Sequence, residues 1–337
     1  MPSLRFDQTT SDWVIFAPSS ARRPHELRGT KPVTDQSPDH EPNCPFCPGN
    51  EASTPAEIYA DRLPDSAASK WAVRVVPNKF PALRIEEDNR HYDSGGGFRY
   101  IGGCGAHEVI VESPSHKSLL AEQPVEQIQR VLQTAQLRYR DLMRDARFQT
   151  VIIFKNHGES AGTSLKHPHW QLIATPVVPR LLRMKYSVAT DYFDVTGRSL
   201  YSDMLQHELA DKSRILAAND EFVALLPYAS HLPFETWIFP VRHQSSYGLL
   251  EREHFRSLAE ILKTVLLKLH HGLENPDFNL AIDTVSRGDE SKDYFSWHIR
   301  ILPRLTTPAG FELGSGMSIN TVLPEEATEY LRNVDLE

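Results

Sequence analysis

Two histidines and a glutamine fall at alternate positions in His167-Pro168-His169-Trp170-Gln171. In extended backbone, residues two apart point to the same side of a strand, so these three share a face. Before them runs Asn156-His157-Gly158-Glu159-Ser160-Ala161-Gly162-Thr163-Ser164, which is polar and contains glycine. Residues 150–154 ahead of that run are mostly apolar. The pattern predicts a strand, a polar loop and a second strand carrying the histidines. A neutral imidazole can attack phosphorus and carry the transferred group covalently. It needs one ring nitrogen free and the other held by a hydrogen bond, usually to a backbone carbonyl. The loop at 158–164 offers backbone N–H groups and hydroxyls to phosphate oxygens, and Gln171 offers another donor.

A second group is Cys44-Pro45-Phe46-Cys47. A turn of this spacing sets two thiolates on one side of a bend, which suits tetrahedral zinc. Two buried apolar cysteines would satisfy the same spacing. The chain has three cysteines and no second such pair, so the remaining ligands must be histidines. His116, in Ser113-Pro114-Ser115-His116, and one histidine of the 167/169 pair would complete four protein ligands. Four protein ligands close a zinc site and make it structural, leaving the other histidine fixed beside it.

The positioning elements follow from the surrounding pattern. Strands are expected at 12–18, 71–76, 107–112 and 150–154, with a helix at 124–145 whose apolar stripe includes Ile128, Val131, Leu132, Ala135 and Tyr139. Residues 28–43 read as loop, and 85–99, acidic and then glycine-rich, as an exposed excursion. The order then repeats: a strand at 234–239, a helix at 255–269, a strand at 278–282, a polar loop and a strand at 296–303. Setting Pro303 against Pro176 places Ser296 opposite His169, Tyr294 opposite His167 and His298 opposite Gln171. On that alignment only the first copy keeps the histidine pair. The net charge of −8 and the lack of basic blocks argue against a nucleic-acid partner. No stretch has the length and apolarity of a membrane span, and residues 1–7 have no apolar leader core, so a cytoplasmic protein is expected.

These motifs resemble the galactose-1-phosphate uridylyltransferase family, a branch of the histidine-triad superfamily. The resemblance is carried by His167-Pro168-His169-Trp170-Gln171, Cys44-x-x-Cys47, residues 76–83, Asp12-Trp13-Val14-Ile15, Arg23-Pro24 and Pro233-Phe234-Glu235-Thr236. It implies an α+β fold of two tandem histidine-triad-like units, antiparallel sheets with packed helices, divided as 1–180 and 181–337. It implies structural zinc on Cys44, Cys47, His116 and His167, with His169 as nucleophile and Gln171 beside it. Substrate contacts would come from Arg23, Asn78, Asn156, Gly162, Thr163, Ser164 and Gln171. The reaction implied is ping-pong nucleotidyl transfer between a nucleotide-sugar and a sugar 1-phosphate or phosphate, in a homodimer. Ser20 replaces an expected arginine, and Gly310-Phe311-Glu312-Leu313-Gly314-Ser315-Gly316-Met317 lacks the Tyr-Glu pair of the uridylyltransferases. Those departures resemble the ADP-glucose phosphorylase branch. His243 and His298 stand as remnants of a second metal site. A zinc-stapled nucleotide-binding protein without turnover is the remaining alternative.

Overall fold

A computed structural model of the chain describes residues 1–18, 38–62 and 70–336. The loop expected at 28–43 and the basic turn containing Ser20 and Arg23 therefore lie wholly or partly outside the described residues. The chain opens with β1 (Ser3–Asp7) and β2 (Asp12–Phe16), followed by β3 (Tyr59–Asp61) and β4 (Val73–Pro77). The excursion at 85–99 is exposed as expected, but it carries a small hairpin of β5 (His91–Asp93) and β6 (Arg99–Ile101), with Tyr92 stacked on Tyr100.

The first unit is β7 (Ala106–Val111), α1 (Val125–Leu142), β8 (Thr150–His157) and β9 (His169–Thr175). Between the units lie α2 (Arg180–Thr196), α3 (Leu200–Asp211), β10 (Ile215–Ala218) and β11 (Phe222–Leu225). The second unit repeats the order of the first: β12 (Thr236–Pro240), α4 (Phe255–Gly272), β13 (Phe278–Asp283) and β14 (His298–Pro303). The chain ends with α5 (Gly310–Ser315), β15 (Ile319–Asn320) and α6 (Pro324–Arg332).

Among the described residues, ten strands form one sheet in the order β10-β11-β12-β14-β13-β8-β9-β7-β4-β3. Its neighbours pair antiparallel, and the units meet where β8 pairs with β13, Asn156 opposite Asn279. Strand alternation sorts the side chains between two faces. Ile153, Trp170, Leu172, Ile282, Ile299 and Ile301 face the helical layer, where α1 and α4 bury Ile128, Val131, Leu132, Leu258, Leu262 and Val265 in one core. Truncating a member such as Leu262, with no exposed surface, costs about 2–5 kcal/mol.

The opposite face is covered differently in the two units. Over the second, Ala189 of α2 and Tyr201 and Leu205 of α3 pack on Val223, Leu225, Trp237 and Phe239. Over the first, among the described residues, the cysteine turn and Trp71 pack on Val76, Val109 and Val111, with Leu165 beside them. His169 and Gln171 lie on this face, opposite Val111 and Val109.

Candidate active site and metal centre

The turn at Cys44 is set by its own backbone: the Cys47 N–H donates to the Cys44 carbonyl at 3.2 Å, and Asn50 Nδ2 donates to the same carbonyl at 2.9 Å. His116 follows β7, and its N–H is anchored on the Asp39 carbonyl at 2.8 Å. The ligand atoms of Cys44, Cys47, His116 and His167 all lie within 4.8 Å of one another, and all four residues are buried. Sγ of Cys47 is 3.5 Å from His116 Nδ1 and 3.6 Å from His167 Nδ1, and Sγ of Cys44 is 3.7 Å from His167 Nδ1. Zinc–sulfur and zinc–nitrogen bonds at tetrahedral angles give an S···N edge of about 3.5 Å, so this group can bind a metal. His167 Nε2 donates to the Ser113 carbonyl at 2.8 Å, which leaves Nδ1 as the ligating nitrogen. Burial lowers the His167 pKa to about 4, keeping the ring neutral at pH 7.

His167 sits in a bend ahead of β9, and the strand begins at His169. The pair therefore does not share a strand face as its spacing suggests. Pro168 cannot donate to the ladder, so strand pairing starts only after it. The break lets His167 turn back to the cysteines. His169 Nδ1 donates to the His167 carbonyl at 2.8 Å, which leaves Nε2 as the lone-pair nitrogen. Burial lowers the His169 pKa to about 4; the bond to the His167 carbonyl opposes the shift and the nearby Lys155 charge adds to it. At neutral pH the ring is an uncharged imidazole with one nitrogen held and one available for attack. The Phe46 ring packs edgewise against it, centroids 5.4 Å apart, a contact made possible by the cysteine turn.

Gln171 is fixed by a residue the sequence reading missed. His107 lies on β7, next to β9, and its Nδ1 accepts the Ala82 N–H at 3.2 Å. The ring proton is thereby placed on Nε2, which donates to Gln171 Oε1 at 2.8 Å. Asn78 Nδ2 flanks the same nitrogen at 3.1 Å. Asn78 and Gln171 therefore both lie beside His107, and of the two only Gln171 accepts its proton. The alternation His107-x-Val109-x-Val111 was the available signal, because it sets His107 on the His169 face once β7 and β9 are known to pair.

The loop after β8 turns at Gly158 (φ +85°) and Gly162 (φ +87°), both left-handed. A Cβ at Gly158 would lie 1.7 Å from Asp277 Oδ1, so only glycine fits. Asp277 Oδ2 accepts from the Ser160 N–H (2.8 Å) and hydroxyl (2.6 Å). Asn279 Nδ2 donates to the Ala161 carbonyl and to Asn156 Oδ1. The second unit thus holds the loop of the first. Continuing the β8–β9 register brings Asn156 across from His169. Gly162 and Ser164 are exposed, while the Thr163 hydroxyl is buried with no hydrogen-bond partner among the described residues.

A buried ion pair underlies the histidine segment. Lys155 Nζ contacts Glu112 Oε2 at 2.9 Å, and Trp170 Nε1 and Gln123 Nε2 donate to the same carboxylate. The Glu112 N–H also donates to the Pro168 carbonyl at 3.3 Å. Glu112 thereby grips the chain on both sides of His169. Neither residue carries a sequence motif.

The structural counterpart of His169 in the second unit is His298, not Ser296. Each opens its strand, and each donates Nδ1 to the carbonyl two residues earlier, His298 to Ser296 at 3.0 Å. The proline alignment was two residues out because strand ends are weaker landmarks than this bond. His298 is fully buried; its Nε2 is 3.3 Å from Lys185 Nζ, and burial lowers its pKa to about 3. Lys185 and Arg300 both pair with Asp283, at 2.7 and 2.9 Å. His243 binds the Phe295 carbonyl, and among the described residues neither His243 nor His298 belongs to a group that could hold a metal.

Residues 1–179 match the family model for the N-terminal domain of galactose-1-phosphate uridyl transferase, and residues 185–334 that for its C-terminal domain. An ADP-glucose phosphorylase of Arabidopsis thaliana is 34% identical over 339 residues, 99% of this chain and 93% of the relative. A galactose-1-phosphate uridylyltransferase of Thermotoga maritima is 26% identical over 345 residues, covering both chains fully. The crystal structure of an Arabidopsis thaliana ADP-glucose phosphorylase with bound ADP-glucose superposes with a TM-score of 0.85 at 31% identity, covering 100% of each chain.

Proposed function

The chain belongs to the galactose-1-phosphate uridyl transferase family, and on that premise we propose that it moves a nucleotidyl group from a nucleotide-sugar through a covalent intermediate on His169. The observation that carries this is the neutral His169 ring, with Nδ1 tied to a carbonyl and Nε2 without a hydrogen-bond partner among the described residues. In the first half-reaction Nε2 attacks the α-phosphorus. A P–N bond forms, the P–O bond to the leaving group breaks, and the electron pair departs with the hexose 1-phosphate. In the second, an oxygen of a hexose 1-phosphate or of inorganic phosphate attacks the same phosphorus and the P–N bond breaks. Charge gathers on the non-bridging oxygens, so donors from Gln171, Asn156 and the loop at 158–164 do most of the work. Thr163, Ser164 and Gly162 belong to that loop, and Asn78 to the neighbouring nucleotide wall.

Zinc is the metal that best fits Cys44, Cys47, His116 and His167; when bound it closes a structural site that fixes His167 two residues from the nucleophile. His167, through its carbonyl, then holds His169 Nδ1 in place. The same reading divides the chain into domains at 1–180 and 181–337. It also makes the protein a cytoplasmic homodimer, which sedimentation and cell fractionation test. Among the described residues no helix is long and apolar enough to cross a membrane.

Uridylyl transfer between hexose 1-phosphates is one form of the reaction. ADP-sugar phosphorolysis is the second, favoured by the 34% identity to an ADP-glucose phosphorylase and by α5, where Gly310–Ser315 stands in place of a Tyr-Glu pair. Rapid mixing with UDP-glucose or ADP-glucose, without acceptor, tests both. A burst of one hexose 1-phosphate per active site is expected, and the nucleotide that gives it names the base. No burst with either would overturn covalent transfer.

A further inference from the structure

Asn156 and Gln171 each end in a carboxamide nitrogen with no hydrogen-bond partner among the described residues, while each carboxamide oxygen is engaged. A carboxamide can rotate and exchange its oxygen for its nitrogen, so something must decide which end is presented. In both cases the decision is made remotely by a group that can only donate. For Gln171 it is the Ala82 N–H, acting through His107. For Asn156 it is the guanidinium of Arg304, in the second unit.

Arg304 is exposed, and its Nε donates to Asn279 Oδ1 at 2.5 Å. No carboxylate among the described residues pairs with it. Asn279 Nδ2 has two protons and two acceptors, the Ala161 carbonyl at 2.9 Å and Asn156 Oδ1 at 2.8 Å. Rotating Asn279 would set an amide N–H against the guanidinium and an oxygen against a carbonyl. Its orientation is therefore fixed from both ends, and Asn156 must offer its oxygen to Asn279. Asn156 Nδ2 is left facing the loop, 3.9 Å from where a Gly162 Cβ would stand.

We propose that the second unit takes part in catalysis through this relay: Arg304 and Asn279 are positioning residues that lock the Asn156 amide with its N–H groups towards the transferred phosphoryl group. Gln171, locked by His107, supplies the matching donor from the other side of His169. The proposal rests on nucleotidyl transfer at His169. Two donors turned in advance towards developing charge need no reorganisation when the reaction occurs.

The test uses Asn279→Asp, which keeps the shape and the Arg304 contact but has no N–H to offer. Asn156 then turns its own amide nitrogen towards the new carboxylate and presents its oxygen to the phosphoryl group. Single-turnover formation of the nucleotidyl-enzyme at saturating nucleotide-sugar falls about 100-fold, with KM changed less than about threefold. In an Asn156→Ala background the same change costs less than about twofold, because the residue through which it acts is gone. Arg304→Met, on the exposed end where the fold is not at stake, slows the step by about threefold to tenfold in the intact background alone. Equal losses in both backgrounds, or an Asn279→Asp enzyme as fast as wild type, would overturn the relay. A wild type that forms no nucleotidyl-enzyme overturns the underlying reaction instead, so the two failures are distinguishable.

Discussion

His169 and His298 hold equivalent places in the two units, each opening a strand with Nδ1 bonded to the carbonyl two residues back. What surrounds them differs. Around His169 are a quartet that could hold a metal, two carboxamides and a glycine-hinged loop, with no α-helix in the apolar cluster on that face among the described residues. Around His298 are Lys185, Asp283, Arg300 and the stacked rings of Trp237 and Phe239, under α2 and α3. Both rings are neutral by burial. Among the described residues the Nε2 of His169 has no hydrogen-bond partner; that of His298 has an ammonium group 3.3 Å away. Equivalent backbone therefore does not confer equivalent chemistry. Among the described residues, it is the covering layer that distinguishes the two histidines.

The largest expected contrast is between His169→Ala and His298→Ala. The first should lower nucleotidyl transfer by at least about 10⁴-fold with the fold intact. The second should destabilise by about 2–4 kcal/mol in thermal or urea unfolding while leaving turnover per folded molecule within about tenfold. Comparable catalytic losses in both would break the distinction. Metal removal sharpens it further. Stripping the protein with a strong chelator, or Cys47→Ser, should release one zinc per chain and lower Tm by well over 10 °C, because such metal binding contributes on the order of 10 kcal/mol to folding. An unchanged Tm with no metal by elemental analysis would contradict the quartet's role.

Gln171→Ala removes one donor and should cut kcat about 100-fold with little change in KM. The buried ion pairs give the next contrast. Lys155→Met leaves Glu112, with no exposed surface, without its cation and should cost about 3–5 kcal/mol, with slower transfer because Glu112 also grips Pro168 and Trp170. Lys185→Met leaves Asp283 paired with Arg300 and should cost about 1–3 kcal/mol without a catalytic defect.

The smallest effect concerns Asp7 and His231, 3.1 Å apart beside the second unit. Burial raises the Asp7 carboxyl, but bonds from His231 and Thr9 outweigh it and hold it at about 2; burial lowers His231, and Asp7 and Glu235 reverse that to a net rise. Asp7 therefore contributes stability that is lost as pH falls from about 4 towards 2. The His231 contribution is full below its ordinary value and lost as pH rises through its raised one. The difference in unfolding free energy between wild type and Asp7→Asn, from urea titrations, should be largest near pH 5 and shrink on both sides, with a maximum of about 2 kcal/mol.

Much of the first unit was legible in the sequence. His167, His169, Gln171, Cys44, Cys47 and His116 are residue types whose spacing restricts their chemistry, and the stripes of α1 and α4 declared their buried faces. His107, Asn279, Asp277 and Arg304 were not legible, because their roles depend on which strands lie side by side. Ordinary polar residues acquire meaning only through cross-strand neighbours. The position of His298 was misjudged by two residues because proline marks a strand's end less reliably than a side-chain bond marks its start. Lys185 lay in a helix, α2, that the pattern of apolar residues did not announce, so the closed character of the second site could not be seen.

Of the two equivalent histidines, His169 alone is proposed as the nucleophile. The most direct test is to mix the enzyme with nucleotide-sugar labelled at the α-phosphorus, without acceptor, and map the bound label by mass spectrometry of peptides kept at alkaline pH. Close to one nucleotidyl group per chain is expected, all of it on His169, released when acceptor is added. Label on His298, or a His169 peptide that stays unmodified while turnover proceeds, would contradict it.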